Sequence, residues 1–387
     1  MASGGTNYQP KSIKSSNNSR IWKFFRIFYK DSRLFRGSLE EIEVILGVDT
    51  HLDVHVGAVI SEAGRLLGTR SVSTSTAGYR DLLSWASSFG NLKRAGLEGT
   101  GTYGAGLCRF LIDCGLVVLE VNRPDRVKRR LQGKSDPTDA ESAARSVLSG
   151  VSTAIPKQQS GACESMRIAS VARRSAVKAR TQAINQLRAI LVSGSQDVRD
   201  KLWKVKASDC VNACLRVRSL GNGVLLETMT MTIKSLAKRW LTLSKELKEL
   251  DKKLEELTKT YAVQLRARFG VGPNTAAILL SVAGDNPERL KSEAALVALC
   301  GVNPLPASSG KTIRHRLNRG GSRAANNALW TIAMVRMRSD PRTRVYVERR
   351  TKEGLTLKEI HRCLKRYIVR ELYPLILGDL KAVAENV

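Results

Sequence analysis

Asp136 and Asp139, in the stretch "GKSDPTDAES", place two carboxylates at positions i and i+3 where the chain starts a helix. Alone, the stretch reads as capping chemistry. Asp136 suits an N-cap, Pro137 the first helical position, and Asp139 and Glu141 the positive end of the helix dipole. The same spacing puts both aspartates on one helix face, where they can point at one ion. Two more acids stand where apolar strands end: Asp49 closes "VILGVD" and Glu98 closes "RAGLE". A lone carboxylate at a strand end is ordinarily an exposed turn residue. Carboxylates from neighbouring strand ends and an adjacent helix can instead hold two divalent ions about 4 Å apart. Hard oxygen ligands select Mg2+, with Mn2+ as the substitute. Such ions activate an attacking oxygen and stabilise the leaving oxygen of a phosphodiester, and they remove the mutual repulsion of the acids.

Ser308 and Ser309 precede Gly310 on a loop, where serine is ordinarily a turn residue. Arg314, Arg316 and Arg319 follow and offer bidentate charge to phosphate oxygens. A second basic run, "RPDRVKRRLQGK", carries Arg123, Arg126, Lys128, Arg129 and Arg130 as further candidates for binding nucleic acid. His51, His55, His315 and His361 are scattered. His51 and His55 flank the first acid but read as solvated side chains of a strand and its turn. His315, inside the arginine loop, is a candidate acid–base group without an assigned role. Cys210 and Cys214 are the only close cysteine pair, with no CxxC and no nearby histidine, so the cysteines do not read as a zinc site.

These residues sit in a chain of 387 residues with 64 Lys+Arg against 35 Asp+Glu, a formal charge of +29. That surplus points to a polyanion, because neutralising phosphates releases counterions. Nucleic acid is the first candidate and an anionic membrane surface the second. No apolar run reaches the roughly 18 residues that would span a bilayer. Scattered thiols without a secretion signal fit a reducing, cytoplasmic setting. Residues 1–40 read as an extension, polar at first and then basic and aromatic in "IWKFFRIFYKDSRLFR". It reads either as a basic arm on nucleic acid or membrane or, by preference, as upstream sequence translated from an early start codon.

The elements that must position the candidates fall into three parts. Over 41–152, "VILGVD", "VHVGAVI" and "RLLGTRSVS" predict three strands, followed by helix 77–88, strand "RAGLE", an amphipathic helix through Leu107 and Leu111, and strand "LVVLEV". Three strands and then alternating helix and strand predict a mixed α/β domain. Over 153–262 the pattern is helical: basic from 160 to 192, and then a coiled-coil seam from Leu226 through Ile233, Leu247 and Leu254 to Tyr261. The seam reads as a dimer contact or as one side of an intramolecular hairpin, with the dimer preferred for its length. Over 263–387 the chain reads as mainly helical and basic. "FGVGPNTAAILL" has a turn like that of a helix-hairpin-helix, whose amides would face a phosphate backbone, or a plain tight turn.

Taken together, "GVDTH", "LEGTGTYG" and "KSDPTDA", with "FGVGPNTAAILL", "ALCGVNP" and the Ser-Gly pair before an arginine-rich stretch, resemble the DEDD transposases of insertion sequences over about 44–375. The resemblance implies a RuvC-like (RNase H-like) N-terminal domain whose Asp49, Glu98, Asp136 and Asp139 bind Mg2+, and a mainly α C-terminal transposase domain. It also implies a serine that attacks the phosphodiester and forms a covalent phosphoserine. In this register that serine is Ser309, with Ser308 its neighbouring alternative where relatives often carry an acid. Target and donor DNA would be chosen by pairing with a structured bridge RNA, in a bacterial, nucleoid-associated assembly. The seam and a reaction on two duplexes imply a dimer and then a tetramer.

Two rival readings stand beside this one. A nuclease of Holliday-junction type would use the four acids and water and leave Ser309 dispensable. An actin-like ATPase would use "GVDTH" and "GTGTYG" for phosphates, but 226–375 carries seam and basic helices in place of a second copy of that fold.

Overall fold

The computed structural model describes residues 42–121 and 135–385. Strands β1 (Glu43–Thr50), β2 (Val54–Ser61) and β3 (Leu66–Ser73) form an antiparallel meander, and β4 (Asn91–Glu98) and β5 (Val117–Val121) add to it in parallel. The order is β3-β2-β1-β4-β5, a mixed sheet compatible with a RuvC-like domain. Strand β1 is buried along nearly its whole length because helices cover both faces, so it reads as a continuous apolar run. Helices α1 (Thr76–Ser87) and α2 (Ala105–Asp113) cover one face, over Leu46, Val48, Val59 and Leu97. Helix α3 (Asp136–Leu148) covers the other, against Ile45, Ile60 and Val121.

Helix α3 lies unusually close to the sheet. It presents a stripe of small residues, Ala140, Ala143 and Ala144, with Val147 one turn on. Under that stripe β1 and β4 carry glycines. A Cβ at Gly47 would stand within contact distance of the Ala140 carbonyl and 2.8 Å from Ala144 Cβ; one at Gly96 would stand 2.6 Å from Val147 Cγ2. Neither strand has room for a methyl group. The two bare positions thus fix how near the start of α3 comes to the ends of β1 and β4.

The middle of the chain is a long helical hairpin. Helix α4 (Ala162–Ser193) runs out, α5 (Gln196–Leu202) and α6 (Ala207–Arg216) cap the tip, and α7 (Val224–Tyr261) returns. The two long helices are antiparallel: Arg173 pairs with Asp251, Arg180 lies over Trp240, and Gly194 abuts Met229. Met229, Ile233, Leu247 and Leu254 of the seam are buried in this pairing. The intramolecular pairing is thus present, while Leu226, Leu236, Trp240, Leu243, Leu250, Leu257 and Tyr261 of the same seam are only half-buried by it. The seam's partner is α4, whose buried residues are Cys163, Met166, Ala169, Ala176, Ala183, Ile184, Leu187 and Leu191, with arginines interleaved.

The hairpin is rooted in the C-terminal half. Cys163, Met166 and Leu254 join a core built by α8 (Val263–Arg266), α9 (Pro273–Ala283), α10 (Glu293–Leu299), α11 (Arg323–Ser339), α12 (Pro341–Lys352) and α13 (Leu357–Glu385). The short strands β6 (Pro304–Pro306) and β7 (His315–Leu317) project from it as a two-stranded ribbon. In the turn before α9, the Val271 amide bonds to the Arg268 carbonyl and the Gly272 amide to Thr275 Oγ1, so both are engaged within the chain. Among the described residues no helix is long and apolar enough to cross a membrane.

The glycine contact yields a direct test. Gly47→Ala is expected to cost about 1–3 kcal/mol through overpacking, read as a lowered melting temperature. An unchanged melting temperature would show that α3 does not need the bare strand.

Candidate active site

The acid group is assembled by β1 and α3. Alternation from Gly47 and Gly96 sends Asp49 and Glu98 to the face that α3 covers. Thr50 Oγ1 donates to the Glu98 carbonyl at 3.0 Å, tying the ends of β1 and β4 together. At the start of α3 the N-cap is Ser135, and Asp136 is the first helical residue. The capping reading of Asp136 is therefore corrected: its carboxylate is directed toward β1. Asp139 lies one turn further in and is buried.

His51 stands between the two aspartates. Its Nε2 is 3.2 Å from Asp49 Oδ2 and 3.4 Å from Asp136 Oδ1. One ligand atom from each of Asp49, His51 and Asp136 lies within 4.8 Å of the others, so the three can converge on one cation. Burial pushes the Asp49 carboxyl above the usual range; His51 pulls it down, while Asp136 and Asp139 push it up again. Asp139 thus acts on Asp49 through its field, while Glu98 ends the neighbouring strand outside the three-residue group.

A divalent cation fits this set. Two carboxylates and an imidazole nitrogen share a point, and one of the carboxylates is held where burial and like charge oppose its ionisation. The imidazole adds a borderline nitrogen to hard oxygens, a mixture that Mn2+ tolerates as well as Mg2+. His51 is the residue that sequence reasoning left at the margin. Its signal was the Asp-Thr-His order at a strand end, where a tight turn brings position i+2 back over position i. His55 behaves differently from the solvated residue expected. It is fully buried on the opposite face, stacked on Tyr79 at 5.7 Å between centroids, and burial lowers its pKa.

The serine loop is the ribbon's turn. Ser309 and Thr312 exchange backbone hydrogen bonds of 3.2 and 3.1 Å, and Gly310 supplies the positive φ of +55° that the turn needs. The two serines differ in their hydroxyls. Ser308 Oγ accepts from the Arg314 amide at 3.1 Å and donates to the Arg314 carbonyl at 3.3 Å, which holds the ribbon shut. The exposed Ser309 has no such engagement among the described residues. Arg314, His315 and Arg316 on the ribbon's second arm and Arg319 just beyond its base are exposed. Arg123, Arg126, Lys128, Arg129 and Arg130 lie outside the described residues, as does the extension 1–40.

The two halves meet near the acids. Thr100 and Gly101, just after Glu98, line a cavity of 240 Å3 with Leu299 and Ser322 at the base of the ribbon. Gln159 reaches the Thr100 carbonyl at 3.5 Å, and Arg289 stands 3.9 Å from Glu120. The ribbon's base is thereby brought beside the Glu98 loop, while no hydrogen bond or ion pair among the described residues joins Ser309 itself to an acid.

Comparison with known proteins bears on both halves. Residues 46–194 match the family model of the IS110 DEDD transposase, described as a transposase, and residues 263–348 match that described as "Transposase IS116/IS110/IS902 family". No curated protein matches the chain.

The convergence of Asp49 and Asp136 is testable without DNA. Each of Asp49→Asn and Asp136→Asn is expected to weaken Mn2+ binding at least about tenfold in calorimetry, since each removes a charged ligand (about 1.4 kcal/mol per decade). Asp53→Asn, an exposed carboxylate of the same turn, should leave binding unchanged. Equal affinity across all three variants would dissolve the site.

Proposed function

The chain belongs to the IS110-type transposases, and from that premise we propose that it cuts and rejoins DNA strands through a covalent link to Ser309. The observation that supports the metal-assisted phosphodiester chemistry in this reading is the convergence of Asp49, His51 and Asp136 at the mouth of a mixed sheet. Asp139 and Glu98 complete the acidic set from the same helix and the neighbouring strand end. When bound, Mg2+ or Mn2+ would stabilise the charge that develops on the transferring phosphoryl group. The fold around the acids is read as a RuvC-like domain.

Ser309 Oγ would attack the phosphorus and give up its proton as its bond to phosphorus forms. The bond from phosphorus to one sugar oxygen breaks, and that oxygen leaves with a proton as a hydroxyl. The phosphodiester is conserved as a phosphoserine ester. A hydroxyl of a second strand then attacks the same phosphorus, which releases Ser309 and joins the strands without any nucleotide triphosphate. Arg314, Arg316 and Arg319 would hold the non-bridging oxygens, whose charge grows in each transfer. The engagement of Ser308 with the Arg314 backbone favours Ser309 over its neighbour.

We assign the choice of DNA sites to a structured bridge RNA pairing with target and donor, which fits a formal charge of +29 and leaves the protein to read backbone and shape. In the same reading Arg123, Arg126, Lys128, Arg129 and Arg130 bind nucleic acid. The proposed dimer would use the half-buried part of the seam, Leu226, Leu236, Leu243 and Leu250 among it, and the proposed tetramer answers the need to handle two duplexes. The proposed setting is the bacterial cytoplasm, at the nucleoid.

The decisive comparison is between the two serines. Ser309→Ala should lose both the trapped DNA–protein adduct and recombination, whereas Ser308→Ala should keep much of each. Mass spectrometry of the adduct locates the phosphoserine, and efficient cutting by Ser309→Ala would leave the water-using nuclease in its place. Asp139→Asn, which keeps shape and removes charge, should abolish cutting while the protein still folds and binds RNA.

A further inference from the structure

Beside the ribbon, α11 and α13 enclose a groove of 1210 Å3 whose lining contains arginine, lysine, histidine and asparagine but no carboxylate. Both helices turn a polar stripe into it at helical spacing. On α11 the stripe is Arg323, Asn326, Asn327 and Trp330; on α13 it is Lys358, His361, Arg362 and Lys365. A formal charge of +29 accounts for the cations, but not for the aromatic ring among them.

That ring is a built feature. Trp330 is 46% exposed, and its inner face stacks on His361 with centroids 6.1 Å apart and planes within 18°. The imidazole is itself fixed: its Nδ1 donates to the Leu357 carbonyl at 3.1 Å, and its Nε2 lies 2.9 Å from Met334 Sδ. The indole therefore stands on a rigid support with its outer face open to the groove. The floor beneath is a fixed set of amides. Asn326 Nδ2 donates to the Cys300 and Gly301 carbonyls at 3.0 and 3.1 Å, and Lys365 Nζ donates to Asn326 Oδ1 at 2.8 Å. Asn318 Nδ2 donates to Asn303 Oδ1 at 2.7 Å.

We propose that this groove binds an unpaired stretch of nucleic acid, one base stacked on Trp330 and the flanking phosphates on Arg323 and Arg366. The proposal rests on the reading of the chain as a nucleic-acid enzyme but not on Ser309 chemistry. A duplex has its base faces occupied by its own neighbours, so it offers phosphates to the arginines and nothing to the indole. An unpaired base presents the face that an aromatic ring takes up, whatever its identity. The groove also exceeds the roughly 300–1,000 Å3 of small-molecule sites, which leaves room for several nucleotides. Unpaired strands arise wherever a guide RNA loop or an opened DNA duplex presents its bases.

The test uses the full chain in metal-free buffer, so that no cutting intervenes, and fluorescence anisotropy with short probes of one sequence. The probes are single-stranded DNA, single-stranded RNA, the DNA duplex and a DNA strand of abasic residues. Trp330→Ala is expected to weaken the intact strands about tenfold, the scale of losing one base–aromatic stack, and to leave duplex and abasic binding unchanged. Trp330→Leu, which keeps apolar bulk on the helix but has no planar face, should behave as Trp330→Ala; Trp330→Phe should stay within about threefold of the wild type. The larger loss, on RNA or on DNA, identifies the strand that uses the groove. Arg366→Gln should weaken intact and abasic strands alike and flatten the salt dependence by roughly 0.7. Unchanged binding of both intact strands by Trp330→Ala and Trp330→Leu, or an equal loss on duplex and abasic probes, would overturn the proposal. The readout is binding in metal-free buffer and involves no covalent link to Ser309, so a failure of the phosphoserine reading leaves this measurement intact.

Discussion

The contact on which the site depends is the one between α3 and the bare backbone of β1 and β4. Gly47 and Gly96 let the helix settle so low that its small stripe meets the strands almost backbone to backbone. Everything acidic follows from that depth. Asp49 stands two residues beyond Gly47 and Glu98 two beyond Gly96, so the period of the strand turns both toward the helix. Because α3 begins at Asp136 and not one residue later, its first turn carries Asp136 and Asp139 over the strand ends. A sheet with side chains at those two positions would lift the helix and separate the carboxylates. Close packing thus takes the place of a flexible loop in setting the site.

Holding the acids this close has an electrostatic cost, visible at Asp49. Its surroundings favour the protonated form through burial and through Asp136 and Asp139, and His51 is the counterweight that the chain itself supplies. This local acidity sits inside a chain with a large cationic surplus. The two are complementary. In the proposed reading the surplus would draw in a polyanion that acids alone would repel, and the acids would gather the cations that neutralise it locally.

The sheet was legible because buried strands are runs of Val, Ile and Leu, and their carboxylate ends stand out against them. The strand succession from "VILGVD" to "LVVLEV" appears where the pattern placed it. The seam was legible too, but its partner was not: the middle of α4 packs through Ala169, Ala176 and Ala183, and small residues between arginines interrupt the apolar periodicity that Ile184, Leu187 and Leu191 resume. The role of Asp136 hung on one residue, since Ser135 rather than Asp136 precedes the helix. His51 follows Asp49 by two residues at the strand end, a spacing that only the fold turned into a contact, and His55 is buried under Tyr79 of α1 with no spacing rule to mark it. Trp330 and His361 come from helices far apart in sequence, so their stack exists only in three dimensions.

The candidate groups are held with very unequal firmness, and that inequality bears on how they work together. Asp49 and Asp139 are buried in a packed sheet and helix, whereas Ser309 sits on a ribbon of three-residue strands whose residues are mostly exposed. A two-stranded ribbon is marginal alone in water, and its exposed backbone bonds place it at the low end of local stability. The Ser308 bonds to Arg314 close the turn but do not anchor the ribbon to the acids. What the chain does anchor is the ribbon's base, beside the Glu98 loop. A polyanion lying across Arg314, Arg316 and Arg319 would therefore do more than bind. By occupying those side chains it would fix the direction of the ribbon, and with it the position of the serine relative to acids that are already in place.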